Sequence, residues 1–227
     1  MITQEKYQEI LPRFCHYWDA NIRRTLQKPF FDGKNVCATD CYWLIRVKPE
    51  AYGLIPAEGP KSIELNYLPK PLILSVKRLD KAIRDNCHFV DEEEEVSPEV
   101  RCEECCGTGE VEWEYRDSDF ELHTHDFECP ICDGTGVKEE SVKRKTGRKV
   151  LELQSEYISI NNVNFDSYRL LRLVELCDEL GIEELEITAL ENSRACCFKL
   201  NEDCEFILMP VMLDYSMNDF IVSKIKL

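Results

Sequence analysis

The sequence is short of positive charge and has no long apolar runs. Its 227 residues contain 28 Lys and Arg against 44 Asp and Glu, which gives a formal net charge of −16. Such a chain is not expected to coat nucleic acid through its average surface, so contact with DNA requires a local basic patch or the lining of an oligomer channel. No apolar run reaches the ~18 residues of a membrane helix, so no membrane partner is expected. The N-terminus lacks a basic segment followed by an apolar one, which predicts no secretory signal.

The motifs of common enzyme classes are also missing. The sequence has no phosphate-binding glycine loop, no H-E-x-x-H and no nucleophile elbow. The vicinal pairs Cys105-Cys106 and Cys196-Cys197 do not have the C-x-x-C spacing of a redox centre. The chain is therefore predicted not to be an enzyme.

Cysteine, in contrast, is abundant, and four of the 13 cysteines belong to a repeated motif. Residues 102–109 and 129–136 both fit C-x-x-C-x-G-x-G. A C-x-x-C turn places two thiolates on one side of a tight loop, and two such turns supply the four sulfurs of a closed structural zinc site. We therefore predict one structural Zn²⁺, bound by Cys102, Cys105, Cys129 and Cys132. Cys106, His123 and His125 are reserve ligands or, alternatively, bystanders.

The remaining cysteines are scattered. Cys15, Cys87 and Cys177 are typical of small buried hydrophobes in a reducing cytosol, so a cytoplasmic location is expected.

The repeated motif resembles the zinc-binding region of DnaJ-type chaperones over residues 102–136. The chain lacks the His-Pro-Asp signature of that family's co-chaperone domain, so the resemblance implies the zinc-knuckle chemistry and not chaperone function. Between the two motifs, Val111, Trp113 and Tyr115 alternate with glutamates, which predicts a strand. Residues 117–119 predict a turn, and Phe120, Leu122 and Phe127 a returning strand. The expected result is a zinc-pinned hairpin.

Charge changes sign across this central region. Residues 91–95 form an acidic run, interpreted as a solvated linker or, alternatively, as a mimic of a phosphate backbone. Five basic residues follow the second motif around a predicted Thr146-Gly147 turn, and they are the best surface candidate for a nucleic-acid contact. The alternative is a solvated hairpin tip. The five are Lys143, Arg144, Lys145, Arg148 and Lys149.

Regular elements are predicted on both sides of this region. Residues 3–20 predict a helix with Thr3 as N-cap and a kink or restart at Pro12, and with Trp18 on its core face beside a structural His16. Residues 30–47 predict strand, turn and strand. An irregular loop over 48–71 is expected to contain a short strand near 63–65, followed by a strand at 72–76 and a helix at 76–86.

The last third predicts the order β-α-β-β-β. The elements are a strand at 156–160, an Asn161-Asn162 turn, a helix capped by Asp166 or Ser167 and ended by Gly181, and strands at 184–190, 195–200 and 205–213.

Two segments, about 20–47 and 154–213, resemble bacterial sliding clamps, the beta subunit of DNA polymerase III. The first carries Ala38-Thr39-Asp40 and a Leu-x-Arg-Val strand, with Cys41 where the family has glycine. The second carries Tyr168-x-Leu170-Leu171 and the ending Met209-Pro210-x-x-Leu213. The resemblance implies an α+β clamp-like domain from residues 1–90 and 150–213, with a zinc-knuckle hairpin inserted at 91–149 and a tail at 214–227.

In sliding clamps an apolar pocket in the last domain captures partner peptides. The resemblance carries this role to Met209, Pro210 and Met212, with Leu170 as a wall, although these residues could instead be core. The tail is rich in apolar residues, so it is expected to pack on its own domain or on a neighbouring chain, occupying or extending the pocket surface. A homo-oligomer is therefore one possible state.

Two functions follow from the sequence. The first is a non-enzymatic sliding-clamp-related protein, DNA-associated or partner-binding, with a structural zinc module. The alternative is a zinc-knuckle protein that captures a polypeptide or RNA on a clamp-like scaffold.

Overall fold

The computed structural model is a mixed α/β protein with more strands than helices. It describes residues 2–15, 26–61, 63–152, 156–214 and 220–227. The chain forms two compact units: unit 1 is Met1–His88 with Leu151–Leu227, and unit 2 is the inserted segment Phe89–Val150. His16 and Trp18, which belong to the helix predicted over 3–20, lie outside the described residues.

The first half of unit 1 begins with a capped helix. The Thr3 hydroxyl accepts a hydrogen bond from the Lys6 amide at 3.3 Å, as predicted for an N-cap. Because Pro12 has no amide hydrogen, the chain continues as a 3₁₀ turn over Leu11–Phe14. The elements of this half are α1 (Gln4–Ile10), β1 (Phe30–Phe31), β2 (Val36–Thr39), β3 (Trp43–Val47), α2 (Pro49–Tyr52), β4 (Leu72–Ser75) and α3 (Val76–Asn86).

Two details of the loop over 48–71 differ from prediction. The short helix α2 was not predicted, although Pro49 suits a first helical turn and Gly53, at φ 79°, ends it. The strand predicted near 63–65 is wrong, because residues 63–65 adopt no regular structure.

Unit 2 consists of strands, and two sequence predictions fail there. The acidic run at 91–95 is not a linker and Thr146-Gly147 is not a turn, because both segments lie inside strands that pair with each other. The sign reversal along the sequence therefore reflects cross-strand ion pairing. The strands are β5 (Phe89–Ser97), β6 (Val100–Arg101), β7 (Glu110–Arg116), β8 (Leu122–Glu128), β9 (Val137–Glu139) and β10 (Val142–Leu151).

The second half of unit 1 has a hairpin that the sequence analysis did not resolve. Asn161 and Asn162 have φ values of 46° and 65°, the signature of a tight two-residue turn, and a further strand follows before the helix. The helix itself is capped by Asp166 and ended by Gly181, as predicted. The elements are β11 (Tyr157–Ile160), β12 (Val163–Asp166), α4 (Ser167–Leu180), β13 (Glu184–Ala189), β14 (Cys196–Lys199), β15 (Cys204–Leu208) and β16 (Ile221–Ile225).

The strand predicted over 205–213 ends early, at Leu208. The Met209 amide still donates to the Tyr42 carbonyl at 3.1 Å, but Pro210 has no amide hydrogen with which to continue the ladder. The chain then returns to form β16, so part of the tail packs on its own domain.

The strands described for unit 1 form two sheets. A seven-stranded sheet has the order β1-β2-β3-β15-β14-β13-β4, and a three-stranded sheet has the order β12-β11-β16 with β16 parallel to β11. Phe165 of β12 packs edge-on against Phe198 of β14, with ring centroids 5.7 Å apart. This topology makes β3 and β15 central neighbours, although 156 residues separate Val47 and Cys204 in their first register pair.

Candidate functional site

The four cysteines of the repeated motif converge on one point in unit 2. Their Sγ atoms all lie within 4.8 Å of one another, and all four side chains are buried. The Sγ–Sγ distance is 3.8 Å from Cys102 to Cys129 and 3.7 Å from Cys105 to Cys132. These distances are far longer than the ~2.05 Å of a disulfide bond.

The sulfur spacing matches a tetrahedral metal site. With a Zn–S distance of ~2.3 Å, the edges of a regular tetrahedron measure about 3.8 Å. The two printed Sγ–Sγ distances, 3.8 and 3.7 Å, agree with this value. The cluster could therefore hold one tetrahedral thiophilic cation with little movement.

Glycines let the two motifs interlock. Gly109 and Gly136 have φ values of 81° and 74°. A Cβ atom at Gly109 would lie 2.3 Å from the Gly134 carbonyl oxygen, and a Cβ atom at Gly136 would lie 2.5 Å from the Gly107 carbonyl oxygen. Their amides also donate to sulfur, Gly109 to Cys105 at 3.3 Å and Gly136 to Cys132 at 3.2 Å. The positive φ and the close approach both require glycine here.

The thiols of the cluster differ in acidity. Burial by itself raises the pKa of Cys105, but the Gly109 and Gly107 amides and the neighbouring thiols outweigh it and lower that pKa to about 6. Burial raises the pKa of Cys129 to about 11. A divalent cation bound at this point would favour the thiolate form of all four sulfurs.

These cysteines are also the whole buried core of unit 2. Every residue of 89–150 is described, and the only buried side chains in it are those of Cys102, Cys105, Cys129 and Cys132, against which Val111 packs. A unit of this size cannot be stabilised by so small an apolar core. Folding of unit 2 therefore requires a further stabilising link between the two motifs, such as a metal ion bound by these four cysteines.

The reserve ligands lie outside the cluster. Cys106 is exposed and its thiol donates to the Glu103 carbonyl at 3.6 Å. His123 contacts the Asp117 carboxylate at 2.8 Å, and Asp117, Glu121 and His123 form a second, more exposed group of possible ligands. Neither histidine approaches the four sulfurs closely enough to join them.

The five basic residues predicted to contact nucleic acid all lie on β10, which pairs with the acidic strand β5. Arg144 pairs with Glu94, and Lys145 pairs with Asp91 at 2.8 Å. The Lys145 ammonium lowers the pKa of the Asp91 carboxyl, and the carboxylate raises the pKa of Lys145. Arg144 and Lys145 are thus paired with carboxylates of unit 2, and all five basic side chains are exposed on β10.

An apolar groove lies in unit 1 where the segment 37–44 meets the segment 207–209. Its volume is about 460 Å³. Phe30, Leu44, Ile207 and Met209 supply apolar lining, and Tyr42 stands at the rim with 55% of its surface exposed. The Arg169 guanidinium lies 4.1 Å from the centre of the Tyr42 ring and holds it in place.

The residues predicted to form a partner pocket do not lie together in the structure. Met209 lines the groove and is 37% exposed, whereas Pro210 and Met212 are not among its lining residues. Leu170 is fully buried in α4 and is not part of the groove wall. Tyr42, Leu44 and Ile207 also line the groove and were not predicted from the sequence. Tyr42 and Leu44 lie two and four residues after the Ala38-Thr39-Asp40 phrase.

A histidine–carboxylate pair fastens the end of unit 1 that leads into unit 2. Glu156 is almost completely buried, and its side chain accepts from the His88 amide at 3.1 Å and contacts His88 Nδ1 at 2.5 Å. The Glu152 amide donates to the His88 carbonyl at 2.9 Å, which joins the two chain segments. The hydrogen bond to Glu156 raises the pKa of His88.

We expect this pair to make stability depend on pH. Because the folded-state pKa of His88 is raised, its stabilising contribution is fully present below the unfolded value of about 6.5 and is lost as pH rises through the folded value. Denaturation of the wild type and of His88→Gln should therefore differ most in acid and converge above neutrality. An NMR titration of His88 should give a midpoint above 6.5. A constant difference across this range would contradict the assignment.

Among the described residues, no helix is both long and apolar enough to cross a membrane.

Comparisons with known proteins identify structural neighbours only. No protein-family model matches the sequence, and no curated protein matches it. The fold is similar to DNA polymerase III subunit beta of Pseudomonas aeruginosa, with 11% identity, a TM-score of 0.43 and coverage of 93% of this chain and 65% of that chain. The fold is also similar to the beta subunit of Thermotoga maritima, with 10% identity and a TM-score of 0.41. This match covers 94% of this chain and 65% of that chain.

A third neighbour is the Helicobacter pylori beta clamp bound to a DNA ligase peptide. Its identity is 11%, its TM-score 0.41, and the match covers 92% of this chain and 63% of that chain. The chain therefore spans less than two thirds of the length of the bacterial sliding clamps to which it is similar.

Proposed function

We propose that this chain is a non-enzymatic, sliding-clamp-related protein that binds a short apolar segment of a partner polypeptide in the unit 1 groove. The observation that carries the proposal is the convergence of two distant sequence phrases. Residues after Ala38-Thr39-Asp40 and the Met209 of the Met-Pro phrase come from different ends of the chain, yet they line one groove.

The chemistry of the groove suits an apolar peptide. Its volume of about 460 Å³ falls within the usual ~300–1,000 Å³ of ligand sites. Thr39 and Lys61 add a few polar atoms to an otherwise apolar lining. Two or three leucine-sized or phenylalanine-sized side chains would fill such a space, and the rim groups would orient the peptide backbone.

A structural zinc ion completes the proposal. Cys102, Cys105, Cys129 and Cys132 would hold it, and it would neutralise the thiolates and close the core of unit 2. No ligand position remains for water, so the role of the ion would be to maintain structure.

The second function considered is capture of a polypeptide or RNA by unit 2, with unit 1 as scaffold. The exposed aromatic side chains of the β7–β8 hairpin favour a polypeptide. An RNA ligand is opposed by the charge of the unit, in which residues 89–150 carry 19 Asp and Glu against 8 Lys and Arg.

The groove is tested by two methionine substitutions. Met209→Glu places a charge in the groove, whereas Met212→Glu changes a 76% exposed methionine that does not line it. Binding is measured by fluorescence anisotropy with a library of labelled peptides carrying two or three Leu or Phe residues. We expect Met209→Glu to weaken binding by about tenfold or more, because a carboxylate in an apolar site is poorly solvated.

Met212→Glu should bind like the wild type. Equal losses in both variants, or no library member bound by the wild type, would contradict the proposed function.

A further inference from the structure

The β7–β8 hairpin of unit 2 has two chemically different faces. In its antiparallel register Val111 pairs with Phe127, Trp113 with His125, and Tyr115 with His123. Directly opposed residues point to the same side of a sheet, so these six side chains share one face. The alternating positions place Glu110, Glu112, Glu114, Asp126 and Glu128 on the other face.

The aromatic face is ordered and open. Trp113 packs edge-on against Phe127 with centroids 5.9 Å apart, and Tyr115 stacks on His123 at 5.0 Å. Nevertheless, Trp113 is 59% exposed, Tyr115 58% and Phe127 54%. Large aromatic side chains grouped in this way on a soluble surface are typical of an interaction site.

Charge indicates which partner fits this face. Residues 110–128 carry eight carboxylates and a single basic residue, Arg116, and unit 2 as a whole has an excess of 11 negative charges. A cation approaching the aromatic face is attracted both by the ring quadrupoles and by this field. A nucleic acid or a second copy of this chain would meet repulsion from the same carboxylates.

Among cations, arginine suits the face best. The guanidinium group is planar and weakly hydrated, so it stacks on indole and phenol rings at a smaller desolvation cost than an ammonium group. We propose that the aromatic face, formed by Val111, Trp113, Tyr115, His123, His125 and Phe127, binds an arginine-rich segment of a partner polypeptide. This interaction is separate from the apolar groove of unit 1.

Synthetic peptides test this proposal with the full-length protein. The probes are labelled peptides of alternating Arg and Gly, of alternating Lys and Gly and of alternating Glu and Gly, together with an oligothymidylate of the same length. We expect the arginine peptide to bind most tightly, with an affinity that falls as salt is added. Binding of oligothymidylate or of the glutamate peptide as tight as that of the arginine peptide would overturn the proposal.

Substitutions then separate ring chemistry from loss of folding. Trp113→Leu keeps a large apolar side chain but removes the ring, and it should weaken arginine-peptide binding by about tenfold. Thr124→Ala, an exposed position on the opposite face of β8, is the matched control and should have no effect. Equal affinities of the wild type and Trp113→Leu, or an equal loss in Thr124→Ala, would refute the assignment.

Two further measurements distinguish the remaining alternatives. Met209→Glu should bind the arginine peptide like the wild type, so the groove and the hairpin can fail independently. Sedimentation of the unliganded wild type and of Trp113→Leu should give the same mass. A dimer that Trp113→Leu dissociates would instead show that the face is a self-association surface, and the proposal would be wrong.

Discussion

Removal of the metal should unfold unit 2 while unit 1 remains folded. The protein purified without chelator is expected to contain about one zinc per chain, in agreement with a single four-sulfur site. A strong chelator should then make residues 89–150 sensitive to protease. The expected effect is large because a structural zinc site contributes ~10–16 kcal/mol to the folding of small zinc-dependent domains. Unit 2 has no other buried core with which to compensate.

Two cysteine substitutions make this prediction specific. Cys129→Ser removes a fully buried sulfur of the cluster, and it should reduce bound zinc to a small fraction of the wild-type content. Cys106→Ser changes an exposed thiol that directly follows Cys105 of the cluster, and it should leave the zinc content unchanged. Zinc content is measured by elemental analysis, and the fold of each unit by limited proteolysis. A wild-type protein without zinc, or equal zinc loss in both variants, would contradict the prediction.

The local features of the sequence predicted local structure well. The N-cap at Thr3, the αL end of α4 at Gly181 and the alternation of Trp113 and Tyr115 with glutamates each depend on a few neighbouring residues, and the structure confirms all three. The four cysteines also come together as the repeated spacing indicated. In each case the physical constraint acts within a few residues along the chain.

Predictions failed where charge was interpreted without its partner. The acidic run at 91–95 is typical of a solvated linker when considered alone, and Thr146-Gly147 of a turn. Their strand structure becomes apparent only when β5 and β10 are placed side by side, so that Arg144 faces Glu94 and Lys145 faces Asp91. Single-sequence patterns carry no information about such pairing across 50 residues.

The candidate groove was predicted only in part for a similar reason. The resemblance identified Met209, but its neighbours in space come from β1, β2 and β3, at the other end of the chain. Leu170 had the same apolar character as a groove residue, yet the helix turns it fully into the core. The Met209 amide still donates to the Tyr42 carbonyl, whereas Pro210 has no amide hydrogen to continue this pairing, and neither Pro210 nor Met212 lines the groove.

Deletion of residues 220–227 should destabilise unit 1. These residues include β16, which pairs in parallel with β11, and Ile225 of this strand is buried beside Ile160. The Ile225 carbonyl accepts from the Asn161 amide at 2.9 Å, and the Leu227 amide donates to Asn161 Oδ1 at 2.8 Å. Deletion would remove these bonds and expose the edge of β11, so a lower denaturation midpoint and some self-association are expected.

A point substitution isolates the packing contribution of the tail. Ile225→Ala should lower the free energy of unfolding by ~2–5 kcal/mol, the usual cost of truncating a buried isoleucine. Lys224→Ala, the adjacent exposed position, is the matched control and should change stability by less than ~0.5 kcal/mol. Both are measured by denaturant titration and compared with the deletion. If the deletion variant and Ile225→Ala unfold at the same denaturant concentration as the wild type, β16 does not contribute to stability. The apolar residues of the tail would then have to be covered by a neighbouring chain.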